Sequence, residues 1–287
     1  MNQSFVPVIG LGEYVHPGCT LSVHIEPWFI PGNQHCKATG ITYDSRDVKN
    51  IDRQLALIKS LGIGRVNINW YGPDNKDLDT ASHNILVECA NQHIPFWLCP
   101  DKGIFSGLPM TQWQSKFEDA MKYVAKYYTS SPTYWHWDGK PVINFFLNPD
   151  VPNWNNVRSI LGNAILLFEN KSGYDHAQSN GAYAWVNSTK GWDGVDIGLD
   201  YLHDFYSRPC PVGMYRVGGA WAGFDDTLAS WSPAHTGGKA RVIPRNNGCT
   251  LLQTLAAVPS TVTECLISTL NDHEEGSAIE FGIAQYN

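Results

Sequence analysis

The sequence predicts an α/β fold, a single (β/α)8 barrel over residues 1–287 with long loops above the face where its strands end. Three observations carry this. Apolar periodicity switches between a two-residue and a 3.6-residue repeat about eight times over about 260 residues, the pattern and the size of such a barrel. No G-x-G-x-x-G or P-loop follows the early strands, and Gly62 and Gly64 precede a strand instead of opening a helix, which weighs against a doubly wound open sheet. The residues that fall at the expected strand ends are polar and largely acidic.

Leu21 to Phe29 reads as the first strand, and Val48, Ile51, Leu55, Ile58 and Leu61 then recur at helical spacing until Gly62 and Gly64 stop them. Gly64 to Trp70 alternates as a strand, with Val66, Ile68 and Trp70 apolar against Arg65, Asn67 and Asn69. A helix from Thr80 to Gln92 and a strand from Pro95 to Cys99 follow. The clearest helix has a capping-box signature in Thr111 and Gln114 and lines one face with Trp113, Phe117, Ala120, Val124 and Tyr128. Next come a strand Pro141 to Leu147, a helix opening near Asp150 and Pro152, and strands Ala164 to Phe168 and Ala182 to Val186. A short helix Leu199 to Phe205, a strand Val212 to Tyr215, a helix Thr250 to Ala257 and a last strand Thr263 to Thr269 complete the set. Gly218 to Asn247, rich in Gly, Trp and Pro, has little period of either kind and reads as a loop over the active face or a β-hairpin.

The chain has material for one sizeable core and is thin for two complete domains. Twenty Lys plus Arg stand against 27 Asp plus Glu, a formal net charge of −7 with no basic cluster, which argues against nucleic acid as a partner. No apolar run approaches the roughly 20 residues of a helical bilayer span, so no membrane span is expected. Eleven Trp, 13 Tyr and 11 Phe make 12% of the chain, with Trp far above ordinary usage; part of that excess is expected in the core, and a flat apolar face with a polar handle also suits a sugar ring. The seven cysteines make no C-x-x-C pair and no Cys/His metal spacing, so neither metal nor cofactor is expected. Their odd number leaves at least one thiol free or paired between chains, and Cys19 with Cys36 is the expected disulfide. Met1 to Val8 shows no secretory signal, and the expected location is outside the cytoplasm, with the leader absent from this chain. N-x-S/T sequons at Asn2, Asn170 and Asn187 are of a kind that arises by chance.

In a barrel, chemistry sits at the C-terminal ends of the strands. The first delivers His24, Glu26 and Trp28, the second Trp70 and Tyr71, the third Asp101 and Lys102, the sixth Trp185 and Asn187. The last delivers Asn271, Asp272, His273, Glu274, Glu275 and Gly276, three carboxylates in four residues beyond an apolar run. Neighbouring carboxylates have their pKa values pushed apart, so one can stay protonated as an acid while the other acts as base or nucleophile, the equipment for cleaving a glycosidic bond. The bland alternative makes them loop charges or a helix cap.

Five segments occur in the order seen in glycoside hydrolase families 71 and 99: Tyr43-Asp44-Ser45-Arg46-Asp47; Asn69-Trp70-Tyr71-Gly72-Pro73; Ser131-Pro132-Thr133-Tyr134 with Gly139-Lys140-Pro141-Val142; Gly223-Phe224-Asp225-Asp226; and Asn271 to Glu280. Glu26-Pro27-Trp28-Phe29 also resembles the first-strand element of family 99. The chain resembles that group over nearly its whole length. The resemblance implies a (β/α)8 barrel cleaving α-linked glycans within a chain, α-mannoside in family 99 and α-1,3-glucan in family 71, without a metal. It places Asp272 and Glu275 on the two catalytic positions. The shorter Asp272 resembles family 71, the Gly276 to Glu280 tail resembles family 99, and His273 and Glu274 depart from both.

The expected catalytic residues are therefore Asp272 and Glu275. The expected substrate-binding residues are Glu26, His24, Trp28, Trp70, Tyr71, Asp101, Trp185, Asn187, Asp225, Asn271 and His273, and the expected partner is an oligo- or polysaccharide. Several have a plainer alternative: Glu26 paired with Arg46 or Lys102, the aromatics in the core, Asp225 or Asp226 in an Asx turn, and His24 structural, whereas His273 lies inside the motif. A barrel retained as a glycan-binding lectin is the competing function. A phosphate-binding metabolic barrel is disfavoured, since no Gly-rich phosphate loops follow strands seven and eight. Because the first and last strands of a closed barrel are neighbours, Asp272, Glu275 and Glu26 should open into one cleft, with the two catalytic carboxyls about 6.5 to 9.5 Å apart.

Overall fold

A computed structural model describes residues 10–146, 149–151, 153–229 and 239–281. Met1 to Val8, the Asn2 sequon, Leu147 and Pro152 lie outside the described residues, as does the middle of the Gly-rich segment. Eight parallel strands close into a barrel: β1 (Thr20–Ile25), β2 (Arg65–Trp70), β3 (Phe96–Pro100), β4 (Lys140–Phe145), β5 (Ile165–Glu169), β6 (Gly181–Tyr183), β7 (Tyr215–Trp221) and β8 (Glu264–Ser268). Each pairs with the next in sequence, β3 meets β4 at Leu98 and Ile143, and β8 returns to β1 with Val23 opposite Ile267. A short strand, His136–Trp137, adds an antiparallel edge to β4.

The helices between them are α1 (Gln34–Thr39), α2 (Val48–Ser60), α3 (Lys76–Asn91), α4 (Trp113–Tyr127), α5 (Trp154–Leu161), α6 (Leu199–Ser207) and α7 (Cys249–Ala256). The β5–β6 connection carries only a 3₁₀ turn, Lys171–Asp175. Side chains cap the starts of α2 and α5: Asp47 accepts from the Lys49 N–H and Asn153 from the Asn156 N–H. The expected Thr111–Gln114 capping box does not form. Gln114 instead accepts from the Asn153 backbone and donates to Glu118, tying α4 to the start of α5.

Strand alternation sorts side chains into two layers. The odd-even set Val66, Ile68 and Trp70 is buried in the main core, while Asn67 turns into the barrel, where its Nδ2 donates to Asn144 on β4 at 2.9 Å. Strands β2 and β4 are not neighbours, so this bond crosses the lumen. The interior is thus partly polar, and each buried polar group in it needs a partner.

Three expectations are corrected. The seventh strand is not Val212 to Tyr215: Val212 stands fully exposed in a turn, and the strand runs from Tyr215 into the supposed loop as far as Trp221. Its glycines are there for space, since a Cβ on Gly219 would lie 2.8 Å from that of Ala184 and one on Gly218 2.8 Å from the Tyr206 hydroxyl. Farther on, Phe224–Asp225 and Val242–Ile243 form the small hairpin that was the loop's alternative. Cys19 and Cys36 are both free thiols, as are all seven cysteines. They flank β1 at opposite ends: Cys36 is buried with Trp28, Phe29 and Ile41 beyond its C-terminal end, and Cys19 donates to the Thr20 carbonyl before its start. Six extended residues span about 20 Å, too far for a bridge.

Candidate active site

The strand ends of β1, β2 and β3 and the segment after β8 enclose a cleft of about 1090 Å³, at the top of the usual range for small-molecule sites and roomy enough for several sugar rings. Glu26, Trp28, Tyr71, Asp101, Trp185, Asp272 and Glu275 line it together. Asn271 fixes the join between the first and last strands: its amide donates to the Glu26 carbonyl and accepts from the Glu26 N–H, both at 2.8 Å. Asn271 therefore acts under the cleft and does not line it.

Past β8 the chain makes a tight turn. The Thr269 hydroxyl accepts from the Asp272 N–H, the Asp272 carboxylate accepts from the Glu275 N–H at 2.8 Å, and the Asp272 carbonyl accepts from Ser277 and Ala278. The turn brings Asp272 and Glu275 to the same side. From the other flank, the Asp225 N–H donates to the Glu275 carbonyl at 2.7 Å. Asp272 is buried and Glu275 half-buried. Among the described residues neither carboxylate pairs with a lysine or arginine; Arg241, whose charge Glu275 feels, is engaged by Asp226 at 2.7 Å.

Burial pushes the Asp272 carboxyl well above its ordinary range, helped by the charges of Glu275 and Glu26. Burial also lifts Glu275 to about 7, against the pull of Arg241 and with a push from Glu26 and Asp226. Each carboxyl sits in the other's field, so their titration belongs to the pair, and burial sets both above the ordinary carboxylate range. Asp101 rises to about 6, chiefly through burial, although the Gly103 N–H at 2.5 Å opposes this. Glu26 accepts from Asn69 Nδ2 at 2.9 Å and from the Tyr71 hydroxyl at 3.2 Å, and faces His24 Nε2 at 3.2 Å. It pairs with neither Arg46, which is held by Asp44 and Asp77, nor Lys102, which lies over the Trp113 ring at 5.5 Å.

Besides Asn271, five expected ligand residues are placed elsewhere. Trp70, fully buried, points between α3 and α4, donates to Asp79 at 3.0 Å and stacks on Tyr123; adjacent residues of a strand face opposite ways, so Trp70 and Tyr71 cannot share the cleft. His24 is sealed beneath the floor. Asn187 turns its carbonyl oxygen onto the Ser188 N–H in a local turn. Asp225 is exposed and caps Thr227, the Asx-turn role. His273 points away from the cleft to Glu280, which Arg53, Gln54 and Tyr43 also engage. Conversely, Asn69, His35 and Phe146 line the cleft without having been singled out. His35 stacks on Trp28 with centroids 4.4 Å apart and pairs with the buried Glu274 at 2.5 Å, so the odd acid of the motif holds up an aromatic wall. The only hint of Asn69 in the sequence is its polar period with Asn67 in an apolar strand. Among the described residues, no group of three or more His, Cys, Asp or Glu side chains is arranged to hold a metal ion.

No protein-family model matches the sequence, and no curated protein does. Solved structures share the fold. The GH99 endo-alpha-mannosidase from Bacteroides thetaiotaomicron in complex with BIS-TRIS-Propane superposes with a TM-score of 0.67 at 15% identity, over 91% of this chain and 86% of that one. A second structure of that enzyme gives 0.67 at 14%, over 91% and 87%. A protein described as glycoside hydrolase-like gives 0.60 at 12%, over 97% and 90%.

Proposed function

We propose that this protein is an endo-acting glycoside hydrolase that cleaves an α-linked glycan, of mannan or glucan type, with Glu275 and Asp272 as its carboxyl pair. The observation that carries the reading is that both open into one aromatic-walled cleft, with no lysine or arginine paired to either among the described residues and with burial and their mutual repulsion raising both carboxyls, so that one can keep a proton while the other ionises. Glu275, the less buried, has its carboxyl in the cleft without a hydrogen-bond donor from the described residues, as suits an acid that hands its proton to the leaving glycosidic oxygen. Asp272 accepts the Glu275 N–H, a bond that supports its anionic form. It takes a proton from the attacking water, or from a hydroxyl of the substrate's own sugar. Trp28, Tyr71 and Trp185 offer ring faces or edges to the sugars, and Glu26 and Asp101 offer acceptors to their hydroxyls. The barrel shared with an endo-alpha-mannosidase makes α-mannans the first substrates to try.

The competing reading, a lectin, draws on the burial of the short Asp272 side chain, which withdraws one carboxyl from the reacting atoms. The two separate in one assay. The protein is incubated with α-mannan, α-1,3-glucan and a β-glucan, and new reducing ends are counted. Turnover of an α-glycan that disappears in Glu275→Gln supports the hydrolase, whereas binding without turnover on any of the three supports the lectin.

A further inference from the structure

Asn69 ends the polar period of β2 and stands among three oxygens at the top of the barrel. Its Nδ2 lies 2.7 Å from the Tyr71 hydroxyl, 2.9 Å from Glu26 Oε2 and 3.4 Å from Asp101 Oδ2. The carboxylates accept, so the amide turns its nitrogen to them, with two hydrogens for three oxygens and the longest contact the weakest. The Tyr71 hydroxyl accepts from Asn69 and donates to Glu26 Oε2 at 3.2 Å, which spends its single hydrogen. On the far side Asp101 Oδ1 accepts from the Gly103 N–H at 2.5 Å. Every side-chain hydrogen of the cluster is thus turned onto another of its members, and the buried Asn69 Oδ1 receives none. What the cluster has left over is acceptors, and Glu26, Asn69, Tyr71 and Asp101 all line the cleft.

We infer that Asn69 is a positioning residue that joins Glu26, Tyr71 and Asp101 into one acceptor wall, and that this wall recognises unsubstituted hydroxyls of the glycan, which supply the hydrogens it lacks. Glu26 follows β1, Asn69 and Tyr71 close β2, and Asp101 follows β3, so one amide ties three consecutive strand ends. Without it, two carboxylates would stand side by side with their repulsion unrelieved. With it, each has one oxygen fixed against an N–H. A sugar hydroxyl donates readily to a carboxylate held in this way, whereas a deoxy, ether or ester position offers no hydrogen and leaves a desolvated acceptor unpaired.

The recognition half rests on the hydrolase reading and the clamp does not, so the test has two arms. In the first, ¹³C-carboxyl spectra follow Asp101 in the full-length wild type and in Asn69→Leu, which is close in volume and has no hydrogen to give. The groups that bear on Asp101 are His24 and Glu26 at β1, Asn69 and Tyr71 at β2, and Cys99 and Gly103 beside it. With the amide gone, its step should rise above the wild-type value of about 6; a step that stays in place overturns the clamp. In the second arm, on an α-glycan that the wild type cleaves, Asn69→Leu should lower kcat/KM about 10- to 100-fold, the scale of a hydrogen bond to a charged group, chiefly through KM, since hydroxyls are held in ground and transition states alike. Oligosaccharides that each lack one hydroxyl give the readout that a merely structural role would not move: at least one should be a poor substrate for the wild type, and that penalty should shrink in the variant. Wild-type KM with an undiminished penalty overturns the recognition. If Asn69→Leu does not fold, Gly103→Ala presses the same wall from the other side, its Cβ falling 2.7 Å from Tyr71 Cδ1 and 2.9 Å from Asp101 Oδ1; it should raise KM in the same way, and a wild-type KM there overturns the inference. If the wild-type chain turns over no glycan, the hydrolase reading fails while the carboxyl spectra still decide the clamp.

Discussion

The last strand carries buried acid at both ends, and the two ends are finished differently. At its start Glu264 accepts from the Ser22 hydroxyl and pairs with Arg65, whose guanidinium also lies over Trp135 at 4.8 Å. Beyond its finish Asp272 and Glu275 share a cleft with Glu26 and Asp101, and among the described residues no lysine or arginine pairs with any of the four. Burial lifts the acid at both ends, Glu264 to about 8 even with Arg65 and Ser22 pulling it down. At the closed end the neighbours that offset burial are built into the fold, so the acid is a structural plug. At the open end the opposing groups are backbone and amide N–H donors and the charge of Arg241, with no ion pair to either catalytic carboxyl among the described residues, and the raised acids face the cleft.

The comparison breaks first on catalysis. Glu275→Gln and Asp272→Asn should each cost about 10²- to 10⁴-fold in kcat, with melting temperatures equal to or above wild type because an uncompensated charge is gone. Steady-state kinetics beside thermal melts check both halves, and a variant that keeps its kcat while losing stability would make the open end structural. The mirror experiment is Arg65→Met. It should cost about 2 to 3 kcal/mol in denaturant unfolding, under the about 3 to 5 of a fully enclosed pair because Glu264 can take up a proton, and should leave kcat of the folded protein within about twofold.

A smaller effect comes from pH. Asp101, Glu264, Asp272 and Glu275 all have folded pKa values above their unfolded ones. Their contribution to stability is complete below about pH 4 and is lost as pH rises through about 6 to 8. Glu280, Asp44 and Asp175 are held low by arginine and histidine partners and act in the opposite sense, losing their contribution as pH falls below the ordinary carboxylate range. Melting temperature should therefore be highest near about pH 5 and fall toward about pH 8.5. Glu275→Gln should flatten that decline. The smallest change is Asp225→Ala: its backbone N–H, not its carboxylate, holds the Glu275 carbonyl, so the substitution should alter stability by under about 0.5 kcal/mol and kcat by less than about twofold.

The two ends were also unequally legible in the sequence. Asp272 to Glu275 stand out because acids crowd behind an apolar run, and the closure of β8 onto β1 brings Glu26 to them as the barrel expectation requires. Glu264 is one acid at the head of that run, and its partner Arg65 lies 199 residues earlier, beyond any local pattern. Apolar alternation located most strands, yet it treats Trp70 and Tyr71 alike until the two faces are separated, and only Tyr71 reaches the cleft. Gly218 and Gly219 read as loop because glycine is a poor strand former; what requires them is the close approach of Tyr206 and Ala184, elements from elsewhere in the chain. His35 reached Glu274, and Asn67 reached His24, through tertiary contacts that sequence spacing does not encode.

The central claim is that burial and mutual repulsion outweigh the groups that oppose them and hold the acids of the open end above the ordinary carboxylate range, with no ion pair to compensate among the described residues. The direct measurement is a ¹³C-carboxyl NMR titration of the Asp272–Glu275 pair in the wild-type protein, repeated in Glu275→Gln. The account predicts that the pair keeps a proton at about pH 7, with its upper apparent step at or above that value, and that removing the Glu275 charge moves the remaining Asp272 step downward. Both carboxyls titrating fully below about pH 5, as solvent-exposed acids do, with no change at Asp272 in the variant, would contradict it.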